Sequence, residues 1–152
     1  TISMDSKDLY FQIGQLYFDV GAPEKLTQII SDLLERNDIS VRDQIRYGYS
    51  YLQQLNDAGK AASMFEQLYK EFNSMDKEVK ARGVEQAGLT QGQWNDWQRN
   101  YSEIISALVH SYRETGREEE AKMVLTDWVS RNPQDSRAKK LLNELQDENK
   151  PG

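Results

Sequence analysis

Residues 104–133 read IISALVHSYRETGREEEAKMVLTDWVSRNP, and their reading decides the fold. Ile104, Ile105, Leu108 and Tyr112 recur at the spacing of an amphipathic helix. Gly116 ends that helix, because glycine enters the left-handed conformation that closes helices without a Cβ clash. Glu118, Glu119 and Glu120 open the next helix, where carboxylates meet the positive end of the helix dipole. Ala121, Val124, Leu125, Trp128 and Val129 carry its apolar face, and Asn132-Pro133 stops it. The stretch is a helix, a tight turn and a second helix.

The same grammar extends in both directions. Leu9, Tyr10, Ile13, Leu16, Tyr17 and Val20 make one stripe, ended by Gly21, and Pro23 suits the first turn of the next helix. Leu26, Ile29, Ile30, Leu33 and Leu34 follow, broken by Asn37 and Asp38. Ser40 is an N-cap by its spacing to Asp43. Val41, Ile45, Gly48, Leu52 and Leu55 form a third seam, flanked by Tyr47, Tyr49 and Tyr51, and the turn Asn56-Asp57-Ala58-Gly59 leads to a fourth through Ala61, Met64, Phe65, Leu68, Tyr69 and Phe72. Between Asn73 and Gln93 the pattern weakens around Gly83, Gly88 and Gly92, and a short helix is predicted over about 76–87. Trp94, Trp97 and Tyr101 lead into the quoted stretch, and Ala138, Leu141, Leu142 and Leu145 mark a last helix. No segment alternates with period two for long enough to make a strand. The predicted class is all-α, built of antiparallel helix hairpins.

Laying the first hairpin over the second puts Gly14 on Gly48 and Tyr17 on Tyr51, each pair 34 residues apart. A mid-helix glycine costs about 0.8–1 kcal/mol relative to alanine. Incurring that cost twice at one repeat position points to close approach of a partner helix. In these residues the chain resembles the tetratricopeptide repeat family, whose 34-residue unit pairs two helices. The best match is Ile105, Leu108, Tyr112, Gly116, Ala121, Leu125 and Pro133, with Val109 and Trp128 departing from the family's small residues. The first unit matches at Tyr10, Ile13, Gly14, Tyr17 and Gly21, but has Leu26 for the usual Ala and lacks the closing Pro. The second matches at Gly48, Tyr51, Ala61 and Phe65, with one extra residue in its turn. The resemblance implies one domain over residues 1–152, stacked as a short right-handed superhelix. Its units fall at about 7–39, 41–73 and 102–135, with an insertion at 74–100 and a capping helix at 136–146.

A second likeness rests on Leu16-Tyr17, Gly21, the segment Arg46-Tyr47-Gly48-Tyr49, and Trp97-Gln98 leading into Ile104-Ile105. In these the chain resembles the soluble C-terminal part of certain bacterial multi-span, glycosyltransferase-like membrane proteins of unknown function. The start at Thr1 rather than Met fits a piece of a longer protein.

Composition narrows the chemistry. There are 152 residues, 38% of them hydrophobic and 29% charged, enough apolar content for a core without disulfides. Cysteine is absent, which removes thiolate nucleophiles, Fe–S clusters and cysteine zinc sites. A single histidine, His110, argues against a histidine-built metal site or a Ser–His–Asp triad. A net charge of −6 argues against binding nucleic acid by phosphate neutralisation. Thr1-Ile2-Ser3-Met4 has neither the basic nor the apolar part of a signal peptide, and no apolar run is long enough to span a bilayer. The expectation is a soluble segment on either side of a bacterial membrane. The tail Asp147–Gly152 reads as a frayed end or a linker. There is no phosphate-binding loop, no paired-histidine helix and no nucleophile elbow, so no catalytic residue, cofactor or metal ligand is assigned.

The resemblance implies that the first helix of each unit lines a concave groove. Projected onto this chain, the groove positions are Asp8, Phe11, Gln15 and Phe18 in the first unit, and Arg42, Ile45, Arg46, Tyr49 and Leu52 in the second. The third unit adds Glu103, Ser106, His110 and Arg113. Family members that grip a chaperone's C-terminal carboxylate use Lys and Asn where this chain has Phe11 and Gln15, so that ligand is not expected. Arginine forks among aromatic and aliphatic residues suit a peptide with acidic and apolar side chains. The expected function is a non-catalytic protein–protein interaction module holding a peptide or helical segment in its groove. The alternative is a structural accessory domain of a larger, membrane-bound protein, with the 74–100 insertion filling the groove. Trp94 and Trp97 read as packing under the insertion, with an exposed aromatic platform for sugar or peptide as the alternative, and a homo-oligomer through this region is a third functional possibility. His110 reads as an ordinary surface histidine.

Overall fold

The computed structural model describes residues 6–148 and is all-helical over them, with no strand among the described residues. The expectations for Thr1–Met4, and for the tail from Asn149 to Gly152, lie outside them. The helices are α1 (Ser6–Asp19), α2 (Pro23–Leu34), α3 (Val41–Tyr49), α4 (Ala58–Arg82), α5 (Gln91–Glu114), α6 (Glu118–Arg131) and α7 (Ser136–Glu148). A π-helical stretch, Ser50–Gln54, continues α3. The chain divides into two compact units, residues 1–61 and 62–152.

In the first unit α1 and α2 form an antiparallel hairpin. Gly21 turns it at φ +89°, and the Ala22 N–H donates to the Tyr17 carbonyl at 2.9 Å, the long bond of a Schellman closure. Pro23 occupies the first turn of α2, and the Ser40 hydroxyl accepts from the Asp43 N–H at 3.1 Å, both at the positions read from the sequence. α2 buries Leu26, Ile29, Ile30 and Leu33, each contributing about 1.5–3 kcal/mol by transfer from water. The face of α1 turned to this core is Phe11 and Gly14, not the stripe of Leu9, Ile13, Leu16 and Val20, which lies in solvent. The reason is visible at Gly14: a Cβ placed there would stand 2.9 Å from Leu26 Cδ1 and 3.4 Å from Ile29. The helices approach through the missing side chain, and Phe11 fills the space beside it.

Gly14→Leu is therefore expected to destabilise the fold by about 1–3 kcal/mol through overpacking. Gly14→Ala should cost less, because the tip of Leu26 can turn aside. Urea melts checked against Gln12→Leu on the exposed side of α1 test this. Equal losses in Gly14→Leu and the control would discredit the close-approach reading.

α3 runs parallel to α1, joined to it by Arg46 on Asp8 and by Phe11 against Tyr47. The extra residue expected in the turn after Tyr51 has a place one step earlier, still within the first unit. Leu55 N–H reaches back to the Ser50 carbonyl at 2.9 Å, the five-residue step of a π turn, which takes up one added residue. Asn56, at φ +51°, then does what Gly21 does in the first hairpin.

In the second unit the 74–100 segment is the end of α4, a turn and the start of α5. α4 continues to Arg82, in place of a separate helix over 76–87, and α5 begins at Gln91. Each helix is longer than a repeat helix, 25 and 24 residues, and Phe72 of α4 meets Trp94 and Trp97 in the added length of α5. Thr90 and Gln93 close a capping box at the start of α5. Gly116 at φ +72° turns α5 into α6, with Arg117 N–H on the Tyr112 carbonyl at 2.7 Å, repeating the closure at Gly21. α7 lies on α6, burying Ala138 and Leu145, and runs to Glu148, so Asp147 is helical rather than part of a frayed tail.

Candidate functional site

Nine of the thirteen groove positions drawn from the sequence fall in the first unit. Its parallel α1 and α3 make one face from them. Ile45 has no exposed surface and Phe11 is 6% exposed, so both belong to the core and would meet a ligand only after displacement. Gln15 is tied to the π-helical stretch: its amide donates to Gln54 Oε1 at 2.9 Å and to Ser50 Oγ at 3.3 Å. Arg46 lies over the Phe11 ring at 5.0 Å, with Asp8 at 3.3 Å and Asp43 at 3.5 Å. Two carboxylates thus offset the charge that was to attract an acidic peptide. Arg42 is exposed, and Phe18 and Tyr49 are half-buried, so these three keep accessible surface.

His110 and Arg113 stand on α5 in the second unit, both exposed. The His110 Nε2 lies 3.8 Å from Glu114 Oε1, a contact along one helix and not a catalytic pairing. Among the described residues no group of three or more His, Cys, Asp or Glu side chains could hold a metal ion, and no helix is long and apolar enough to cross a membrane.

What the sequence reading did not find is the polar and aromatic centre of the second unit. Asp76 is 2% exposed and receives Lys80 Nζ at 2.7 Å and Arg131 Nε at 3.0 Å. Arg131 also binds Asp127 at 2.8 Å and the Asn73 side-chain oxygen, while Tyr69 donates to Asp127 at 3.0 Å. Beside this network Tyr101 stacks on Trp128, with ring centroids 3.6 Å apart, and Phe72 meets Trp94, Trp97 and Tyr101. Trp94 is 6% exposed, which makes it a packing residue. A cavity of about 130 Å³ opens between these rings and Asp76. Lys80 spends its donors on Asp76 and on Asn132, at 2.7 Å, so the network is closed on itself. Burial raises the Tyr101 and Tyr69 hydroxyls far above the ordinary phenol value, and raises Tyr47 in the first unit to about 12. These phenols stay neutral at physiological pH and make no acid–base pair. One signal was present in the sequence, the i, i+4 spacing of Asp76 and Lys80. Nothing local pairs either with Arg131.

Comparison with protein-family models, with curated proteins and with solved structures finds no match.

Proposed function

We propose that this chain is a non-catalytic protein-interaction module whose α1–α3 face takes an extended or helical segment of another protein. The observation that carries this is the parallel placement of α1 and α3, with Phe18, Arg42 and Tyr49 keeping accessible surface along their shared face. Aromatic residues and arginine are the residue types that concentrate binding energy at protein interfaces. The ligand that fits is apolar with a carboxylate to meet the guanidinium of the exposed Arg42.

The test is a paired capture from lysate of the source organism. One bait is the chain itself; the other carries Arg42→Glu and Tyr49→Ala, with folding confirmed by circular dichroism. Arg46 is left intact because it ties α1 to α3. A protein held by the first bait and lost by the second is the expected result. Identical capture by both would remove this face from the reading.

A further inference from the structure

α1 is apolar on both sides, yet only one side is covered. Leu9 is 49% exposed, Ile13 39%, Leu16 65%, Tyr17 42% and Val20 78%. From Leu9 to Val20 the sole charged residue is Asp19. A helix apolar on two opposite faces ordinarily has both covered, so this face awaits a cover. We propose that the cover is a second copy of the same chain, with the two α1 helices packed antiparallel about a two-fold axis.

Three observations select a second copy. The first is register. Leu9, Ile13, Leu16 and Val20 are spaced four, three and four residues apart, the narrow seam by which two helices interlock. The seam is also its own complement when reversed. Leu9 falls opposite Val20 of the other copy and Ile13 opposite its Leu16, since 9 + 20 and 13 + 16 both give 29. A two-fold interface demands this reciprocity. The second is area. With roughly 150–250 Å² per large side chain, these exposures leave roughly 500 Å² per copy. A pair then buries about 1,000 Å², the lower bound for a specific interface. The third is the helix dipole. A parallel pair would set the like ends of the two α1 helices side by side. The antiparallel pair instead sets each α1 N-terminus against the other copy's C-terminus, which outweighs the approach of Asp19 to the other copy's Asp8.

The interface is small and the chains carry like charge, so the dimer is a weak one that salt strengthens by screening. Sedimentation of the full chain from about 5 to 500 μM is expected to show mass rising from 17.6 kDa toward twice that value. Leu16→Glu sits on the exposed side of α1, so it should fold with an unchanged circular dichroism spectrum and remain monomeric throughout. Because the protein has no cysteine, single-cysteine variants give a clean reading of register. Leu9→Cys mixed with Val20→Cys should cross-link in a glutathione buffer while neither does alone. In the antiparallel pair identical positions lie about 16 Å apart along the axis, beyond disulfide reach. Monomer mass at every concentration, or a dimer indifferent to Leu16→Glu, overturns the proposal. Cross-linking of Leu9→Cys alone overturns its antiparallel register.

Discussion

Arg131→Met is expected to lower the stability of the second unit by about 3 kcal/mol, the lower end of what breaking a buried ion pair costs. The methionine keeps most of the side-chain volume, so the loss comes from what the guanidinium was doing. It leaves the 2%-exposed Asp76 with Lys80 alone, and removes a partner from Asp127 and from Asn73. Removing Lys80 as well strips Asp76 of both cations, and Lys80→Met/Arg131→Met should approach about 5 kcal/mol. The pH dependence carries a sign that checks the assignment. Burial disfavours the charged Asp127, but hydrogen bonds from Arg131 and Tyr69 outweigh it and hold its pKa below the ordinary carboxylate value. A depressed folded-state pKa contributes stability above the unfolded value, near 3.9, and that contribution is lost as pH falls through the folded one. The gap between wild type and Arg131→Met should therefore be full at neutral pH and narrow in acid. Urea melts at pH 7 and pH 3 measure both quantities. A loss under about 1 kcal/mol at pH 7, the worth of an exposed pair, would show the network to be hydrated and unimportant.

The all-α class was legible because it rests on local signals. Helix period, Pro23 at a first turn, Ser40 as a cap, and Gly21 and Gly116 as turns each act within a few residues. Which face of α1 turns inward was not legible by the same means. Both faces are apolar, and periodicity does not choose between Phe11, Gly14 and Phe18 on one side and Leu9, Ile13, Leu16 and Val20 on the other. The choice is made by fit: Gly14 admits Leu26 and Ile29, and a whole stripe is left in solvent. The candidate face on α1 and α3 was legible only as positions. That Asp8 would offset Arg46, or that Ile45 would be wholly buried, depends on the rotation of each helix, which composition does not set. The 74–100 segment shows a further kind of miss. Gly83 and Gly88 do mark a turn, with φ of +91° and +80°. The weak periodicity before them reflects polar residues, Asn73, Asp76 and Lys80, turned to bond with Arg131 and Asn132.

Phe72→Ala is the second large effect, expected at about 3–5 kcal/mol, the usual cost of emptying an aromatic site that cannot collapse. Phe72 is 1% exposed, and its ring centroid lies 4.1 Å from that of Tyr101, 4.6 Å from Trp97 and 6.0 Å from Trp94. Those rings come from the lengthened part of α5, and Phe72 is the side chain of α4 that joins them. Its neighbours are large, planar and engaged elsewhere: Trp128 donates to Asp135 at 2.7 Å, and Tyr101 is stacked on Trp128. Tyr101 cannot swing into the gap without surrendering its stack on Trp128, so the cavity does not collapse fully. The protein supplies its own probe, since its three tryptophans, Trp94, Trp97 and Trp128, all lie in this unit. Their emission during denaturation reports the second unit, while tyrosine-sensitive absorbance follows both. A marked shift of the tryptophan transition in Phe72→Ala, largely restored in Phe72→Leu, is what a packed aromatic junction between α4 and α5 requires. An unshifted midpoint would mean that the added lengths of the two helices stand apart in solution. The 74–100 segment would then be an insertion without a structural role in the unit.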